Sequence, residues 1–169
     1  MNAILDAWNK ADEATANDAM IACCGAMRWA TAMVALRPMS TVTELSEAAD
    51  RIWATMKEPD WLEAFACHPR IGERKSARGV AKSAAWSKQE QSSAASAAEK
   101  TLAEIAAGNA RYEELFGFTY IVCATGKSAE EMLTILRRRL AGNRRDELRE
   151  AAEQQRQITQ IRLGKWLVE

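Results

Sequence analysis

A single histidine occurs in 169 residues, and it stands in AFACHPRIGERK between Cys67 and Pro69. Imidazole has an ordinary pKa of about 6.5, so it can give or take one proton near working pH. His68 has two readings. It closes a helix, where the dipole favours an imidazolium, or it is a general acid or base held by the following proline at the mouth of a functional loop. Glu90 is open in the same way. In SKQE, Ser87 to Glu90, the S-x-x-E spacing makes a capping box in which Glu90 reaches back to the Ser87 amide. The same carboxylate could instead accept hydrogen bonds from a substrate. No G-x-S-x-G surrounds Ser87, so a serine nucleophile is not indicated. The third group is RRR, Arg137 to Arg139. On a helix these side chains point about 100° apart, so at most one or two share a pocket. They are a solvated face that complements the helix C-terminus, or one of them grips a carboxylate through its planar fork.

The elements that must position these groups are helical. Three prolines and eight glycines leave room for long helices, and apolar spacing near 3.6 supports them. The pattern predicts helices over about 2–8, 18–36, 41–56 and 60–68. The second stops near Pro38, and Asp60 is the expected N-cap of the fourth. Residues 69–86, PRIGERKSARGVAKSAAW, are basic and aperiodic, and read as a long functional loop. An Ala-rich helix opens at Ser87 and weakens at Gly108-Asn109, after which ARYEELFG forms a short helix. FTYIVCATG, 118–126, is apolar and β-branched without a partner strand, and reads as a buried extended crossing. Ser128 to Glu131 repeats the capping pattern before a helix to Ala141, and a last helix covers about 146–166. The expected architecture is an all-α, single-domain helical bundle over 1–169.

Composition removes several classes of function. Lys plus Arg and Asp plus Glu both number 23, which argues against a nucleic-acid binder that depends on excess positive charge. The apolar stretch 19–36 contains Arg28 and reads as core rather than a membrane span. MNAILDAWNKADE lacks an apolar signal region, and four cysteines without CxxC fit packing roles in a reducing cytoplasm. One histidine makes a metal site hard to assemble. The six tryptophans are read as core and interface residues.

Four motifs follow one another in a specific order: HPRIG at His68–Gly72, SKQEQ at Ser87–Gln91, FGFTYIVCATG at Phe116–Gly126 and ILRRRLAGN at Ile135–Asn143. Together with MRWATAMVALRPMS and ITQIRLGKWL they resemble the 2-oxo-4-hydroxy-4-carboxy-5-ureidoimidazoline (OHCU) decarboxylase family of urate degradation, over nearly the whole chain. The resemblance implies an all-helical, usually dimeric fold and no metal or organic cofactor. It implies decarboxylation of a small ureidoimidazoline to (S)-allantoin, after urate oxidase and hydroxyisourate hydrolase have acted; the instability of that substrate would make functional coupling to the hydrolase useful, though no residue here shows it. It places the catalytic roles on His68, Glu90 and Arg139. Pro69, Ser87 and Gln91 fall on substrate-contacting positions, and Phe118, Ile121, Val122 and Cys123 on the segment that supplies backbone contacts. Two alternatives stand beside it: a lyase acting on another ureido or hydantoin ring, and a silent helical interaction module, which the intact His, Glu and Arg set disfavours.

Glu90→Gln separates the two readings of Glu90, because a capping box accepts Gln as well as Glu. We expect a protein of nearly unchanged thermal stability with roughly 10-fold lower kcat/KM, about 1.4 kcal/mol of transition-state stabilisation. A variant that melts earlier yet turns over normally would return Glu90 to the capping box.

Overall fold

The computed structural model describes residues 2–71 and 99–169. Among these the regular structure is all-α: α1 (Ala3–Lys10), α2 (Glu13–Cys23), α3 (Met27–Ala35), α4 (Val42–Trp53), α5 (Glu58–Ala66), α6 (Glu99–Phe116), α7 (Ala129–Leu140) and α8 (Arg144–Trp166). The expected loop beyond residue 71, together with Trp86, Ser87, Glu90 and Gln91, lies outside the described residues. Among those described, no helix is long and apolar enough to cross a membrane.

Local chemistry accounts for most boundaries. Asn2, Asp12, Thr41 and Ser128 each cap a helix by accepting a backbone N–H three residues on. Ser128 and Glu131 form the full reciprocal capping box that S-A-E-E predicts.

Three expectations need correction. The predicted helix over 18–36 is two helices, α2 and α3, which pack on each other and are separated where Cys24 and Ala26 turn extended. Cys23, Cys24 and Ala26 are fully buried at the break. Two short helices can each present an apolar face, whereas one helix of that composition would be apolar all round. Asp60 is not an N-cap. The helix begins at Glu58, and the Asp60 carboxylate reaches back from the first turn to the Lys57 N–H at 2.9 Å. The interruption expected at Gly108-Asn109 is absent, and α6 runs unbroken to Phe116. Gly108 is there for space: a Cβ at this position would sit 2.5 Å from Cδ2 of Leu136 on α7.

The described residues form two compact units, 1–64 with 156–169, and 65–155. In the first, α3 packs on α2 and α4, and Trp8 meets Trp166 edge-on with ring centroids 6.1 Å apart. Arg37 closes the α1–α2 junction by donating to the carbonyls of Trp8 at 2.7 Å and Ala11 at 2.8 Å. Gln160 ties its helix to α4 through Ser46 and Asp50, and Arg156 pairs with Asp50 at 3.0 Å. In the second unit α6 packs on α7. There an aromatic group of Phe65, Tyr112, Phe116, Phe118 and Tyr120 stacks edge-on and tilted.

Gly108→Ala tests the α6–α7 contact. Helix propensity alone would gain about 1 kcal/mol, but the added carbon overpacks against fully buried Leu136, at a cost of about 1–3 kcal/mol. We expect a lower denaturation midpoint for Gly108→Ala alone and a reversed sign in a Leu136→Ala background. Equal effects in both backgrounds would remove the contact as the reason for glycine.

Candidate functional site

His68 follows the C-terminus of α5, and its backbone N–H closes a turn on the Phe65 carbonyl at 3.1 Å. The side chain, half-buried, engages another helix: Nε2 lies 2.6 Å from Oε1 of Gln155 on α8. Gln155 is fully buried, so its amide has little freedom to turn. An amide oxygen only accepts, so in this contact Nε2 is the donor. The HPRIG motif is fixed at two further points. Arg70 grips Glu113 of α6 through Nε at 2.5 Å and Nη2 at 2.8 Å, and Asn109 donates to the Ile71 carbonyl at 3.3 Å.

Opposite ends of the segment 118–126 are set by glycines with left-handed backbone, Gly117 at φ 79° and Gly126 at φ 77°, a conformation costly for other residues. Gly117 ends α6 by donating to the Glu113 carbonyl at 2.8 Å. Between them the chain is neither helix nor strand, as expected, and Phe118, Tyr120, Ile121, Val122, Cys123 and Ala124 are buried. Buried backbone without a ladder must find other partners. Here side chains supply them. Gln154 accepts from the Cys123 N–H at 2.8 Å, Lys127 Nζ donates to the Cys123 carbonyl at 2.8 Å, and Arg139 Nη1 donates to the Ile121 carbonyl.

Of the three consecutive arginines only Arg139 is buried, at 3% exposure. Arg137 and Arg138 face solvent, and Arg137 pairs with Glu104. Arg139 continues the buried stripe Met132, Leu133, Leu136 of α7. Its fork is filled from within the protein. Nε donates to Glu147 at 2.7 Å, Nη1 to Ile121, and Nη2 to the Tyr112 hydroxyl at 3.2 Å. Tyr112 in turn donates to Glu147 at 2.7 Å. The guanidinium also lies over the rings of Tyr120 at 4.9 Å and Tyr112 at 5.5 Å. Burial works against the Arg139 charge, but Tyr112 and Glu147 more than reverse this and the net displacement is upward. Burial likewise pushes the Tyr120 phenol up to about 12 and Tyr112 further, with Arg139 opposing and Glu147 reinforcing in each case. In this arrangement Arg139 holds the Ile121 segment through its carbonyl.

The structure therefore brings His68, Pro69, Phe118, Ile121, Val122, Cys123 and Arg139 into one compact unit. Phe65 and Phe118 are in ring contact at 5.5 Å, and the adjacent glutamines of α8 hold Cys123 and His68. Sequence reasoning missed Gln154, Gln155, Tyr112 and Glu147. A signal existed for Gln155: it interrupts the buried α8 series Leu148, Ala151, Ala152, Ile158, and a polar residue on an apolar stripe needs a partner. A separate open groove of about 370 Å³, lined by Lys127, Glu130, Glu131, Thr134 and Ile135, includes none of the expected site residues. Among the described residues no three His, Cys, Asp or Glu side chains group as a metal ligand set, and the four cysteines are unbridged.

Comparison with known proteins gives one family. The model of the OHCU decarboxylase family matches residues 9–164. The chain is 36% identical over 144 residues to the uric acid degradation bifunctional protein TTL of Arabidopsis thaliana, covering 85% of this chain and 44% of that protein. It is 32% identical over 97 residues to the 2-oxo-4-hydroxy-4-carboxy-5-ureidoimidazoline decarboxylase of Amia calva, covering 57% of this chain and 55% of that one. The chain thus spans about half the length of these curated relatives. A crystal structure of an OHCU decarboxylase in the presence of (S)-allantoin superposes with a TM-score of 0.77 at 34% identity, over 90% of this chain and 99% of that one. An (S)-allantoin synthase structure, at 18% identity and TM-score 0.70 over 96% of this chain and 53% of that one, shares the fold.

The two tyrosines of the chain report on this site. A phenol whose folded pKa is raised adds stability that is fully present below the unfolded value of about 10 and is lost as pH rises through the folded value. Base titration should therefore show no tyrosinate absorbance while near-ultraviolet circular dichroism stays native, and both should change together in an alkaline transition. Tyrosinate formation near pH ~10 in a native protein would show that the Arg139–Glu147 cluster does not seal these phenols.

Proposed function

The chain belongs to the OHCU decarboxylase family, and from that premise we propose that it converts OHCU to (S)-allantoin and CO₂ without metal or organic cofactor. The observation that carries this reading is the placement of the only histidine at the exit of α5 inside the HPRIG motif, with its ring oriented by a buried side chain. The reaction breaks the bond between the ring carbon and its carboxylate. CO₂ leaves, and the electron pair stays on the ring and spreads into the adjoining imine-type system. One proton must then arrive at one face, because the product is chiral. His68 delivers or relays that proton. Glu90 accepts hydrogen bonds from ring or ureido N–H groups, and Ser87, Gln91 and Pro69 position the substrate.

The segment through Phe118, Ile121, Val122 and Cys123 forms the apolar wall and offers backbone groups to the developing charge. Two of its backbone groups, the Cys123 N–H and the Ile121 carbonyl, are already engaged by Gln154 and Arg139. Arg139 acts by holding that wall in place, so its contribution is one of positioning. We place the enzyme in the cytoplasm as a homodimer, functionally coupled to a hydroxyisourate hydrolase that supplies its unstable substrate.

The test generates OHCU in situ from urate with the two upstream activities and follows allantoin chirality by circular dichroism. Accelerated formation of (S)-allantoin is expected, and slow racemic formation at the uncatalysed rate would sink the proposal. In the same assay His68→Ala should lose at least ~100-fold in rate, the lower end of general acid–base contributions, while remaining folded. Near-normal turnover by a folded His68→Ala protein would remove His68 from the mechanism.

A further inference from the structure

We propose that Lys127 and Arg139 are positioning residues that act on the reaction through the backbone. Their cationic groups polarise two peptide groups and so strengthen the Ala124 and Val122 N–H groups as donors to charge developing on the substrate. The inference rests on the reading that this segment offers backbone groups to the reaction. It starts from the geometry of those two peptide groups. Lys127 Nζ donates to the Cys123 carbonyl at 2.8 Å, and Arg139 Nη1 donates to the Ile121 carbonyl. The peptide bonds of the segment are trans, so each N–H points away from the carbonyl of its own peptide group. The N–H groups opposite those two carbonyls are the ones of Ala124 and Val122. Both residues are buried, and among the described residues neither N–H has a hydrogen-bond partner. The Cys123 N–H between them is taken by Gln154. Two donors are left, each with a cation at the far end of its peptide group.

Local chemistry sets the lysine. The Lys127 N–H closes a turn on the Ala124 carbonyl at 3.0 Å. Gly126 stands at the third position of that turn with φ at 77°, the left-handed value a type II turn needs there. The turn folds the half-buried lysine back over the residues before it. Arg139 comes from the interior. Its Nε and Nη2 edge faces Glu147 and Tyr112, and Nη1 reaches the Ile121 carbonyl. A buried N–H without a partner is costly. A peptide group polarised by a cation is a stronger donor than an unpolarised one, because hydrogen bonds in a chain reinforce one another. Such donors favour an atom that gains negative charge over one that stays neutral. In a decarboxylation that charge appears as the carbon–carbon bond breaks, so the benefit falls on kcat rather than on KM.

Lys127 is the more accessible member of the pair, and Lys127→Gln keeps a neutral N–H donor while removing the charge. In the intact protein without substrate, amide proton–nitrogen correlation spectra should show the Ala124 proton moving upfield in Lys127→Gln, with Val122 unchanged. In the OHCU assay kcat should fall about 5-fold with KM changed by less than about 2-fold. Lys127→Arg, which restores a cation, should regain most of that loss. An unmoved Ala124 amide, a loss that appears in KM alone, or a Lys127→Arg protein no better than Lys127→Gln would overturn the inference. A second measurement needs no variant. Excess (S)-allantoin added to the unaltered protein should move the Val122 and Ala124 amide protons downfield, because its carbonyl oxygens accept from them. If both amides stay in place, the inference is likewise overturned. A shifted Ala124 amide in a protein with no OHCU turnover would uphold the polarised peptide and sink the proposed reaction, whereas full turnover by Lys127→Gln would sink this inference alone.

Discussion

The constraint on which this site depends is the cost of burying a backbone that has no secondary structure. Residues 118–124 run without helix or strand partners, and all of them except Thr119 are buried. Each unsatisfied buried group costs about 1–3 kcal/mol. The second unit answers that cost with side chains directed inward from three directions: Arg139 from α7, Gln154 from α8, and Lys127 at the end of the segment itself. The glycines at 117 and 126 make the two sharp entries possible. Once these partners are in place, the segment is a rigid irregular wall, the kind of surface that can offer backbone groups to a ligand where a helix cannot.

The Arg139–Glu147–Tyr112 cluster has to be understood in those terms rather than as a source of net stability. A buried ion pair recovers its desolvation cost only with good geometry and further hydrogen bonds. Here each nitrogen of the guanidinium has a partner, and two tyrosine rings lie against its faces. What the cluster yields is register. It joins α6, α7, α8 and the Ile121 carbonyl through one planar group, so a shift in any of them breaks several charge-assisted contacts at once. Losing one partner of such a pair typically costs about 3–5 kcal/mol, because the remaining charge is stranded.

The histidine is held by a different logic. His68 stands where α5 ends and is half-buried. Its ring meets Gln155, an uncharged acceptor on α8 whose preceding residue, Gln154, holds the Cys123 amide. The α8 helix therefore couples the position of His68 to that of the 118–124 segment. Contacts with Glu113 and Asn109 tie Arg70 and Ile71 to α6.

Sequence alone determined the helical class, the capping box at Ser128 and the buried crossing at 118–126, which follow from local chemistry: spacing near 3.6, S-x-x-E pairs, and an apolar β-branched run with no partner. The grouping of His68 with Arg139 came from the family resemblance and not from local rules. Glu90, Ser87 and Gln91 were legible as motif residues, and their placement lies outside the described structure. Tertiary structure decided what local rules could not. It divided 18–36 into two helices so that each could bury one face, carried α6 through Gly108 because Leu136 needs that space, and moved Asp60 from cap to first turn. It also chose Arg139 among three arginines as the buried one and set Gln155 against His68, 87 residues away along the chain. A hydrogen bond between such distant residues leaves no periodic trace; the sequence carries only a glutamine on an apolar stripe, and the packing of helices supplies the partner that makes it meaningful.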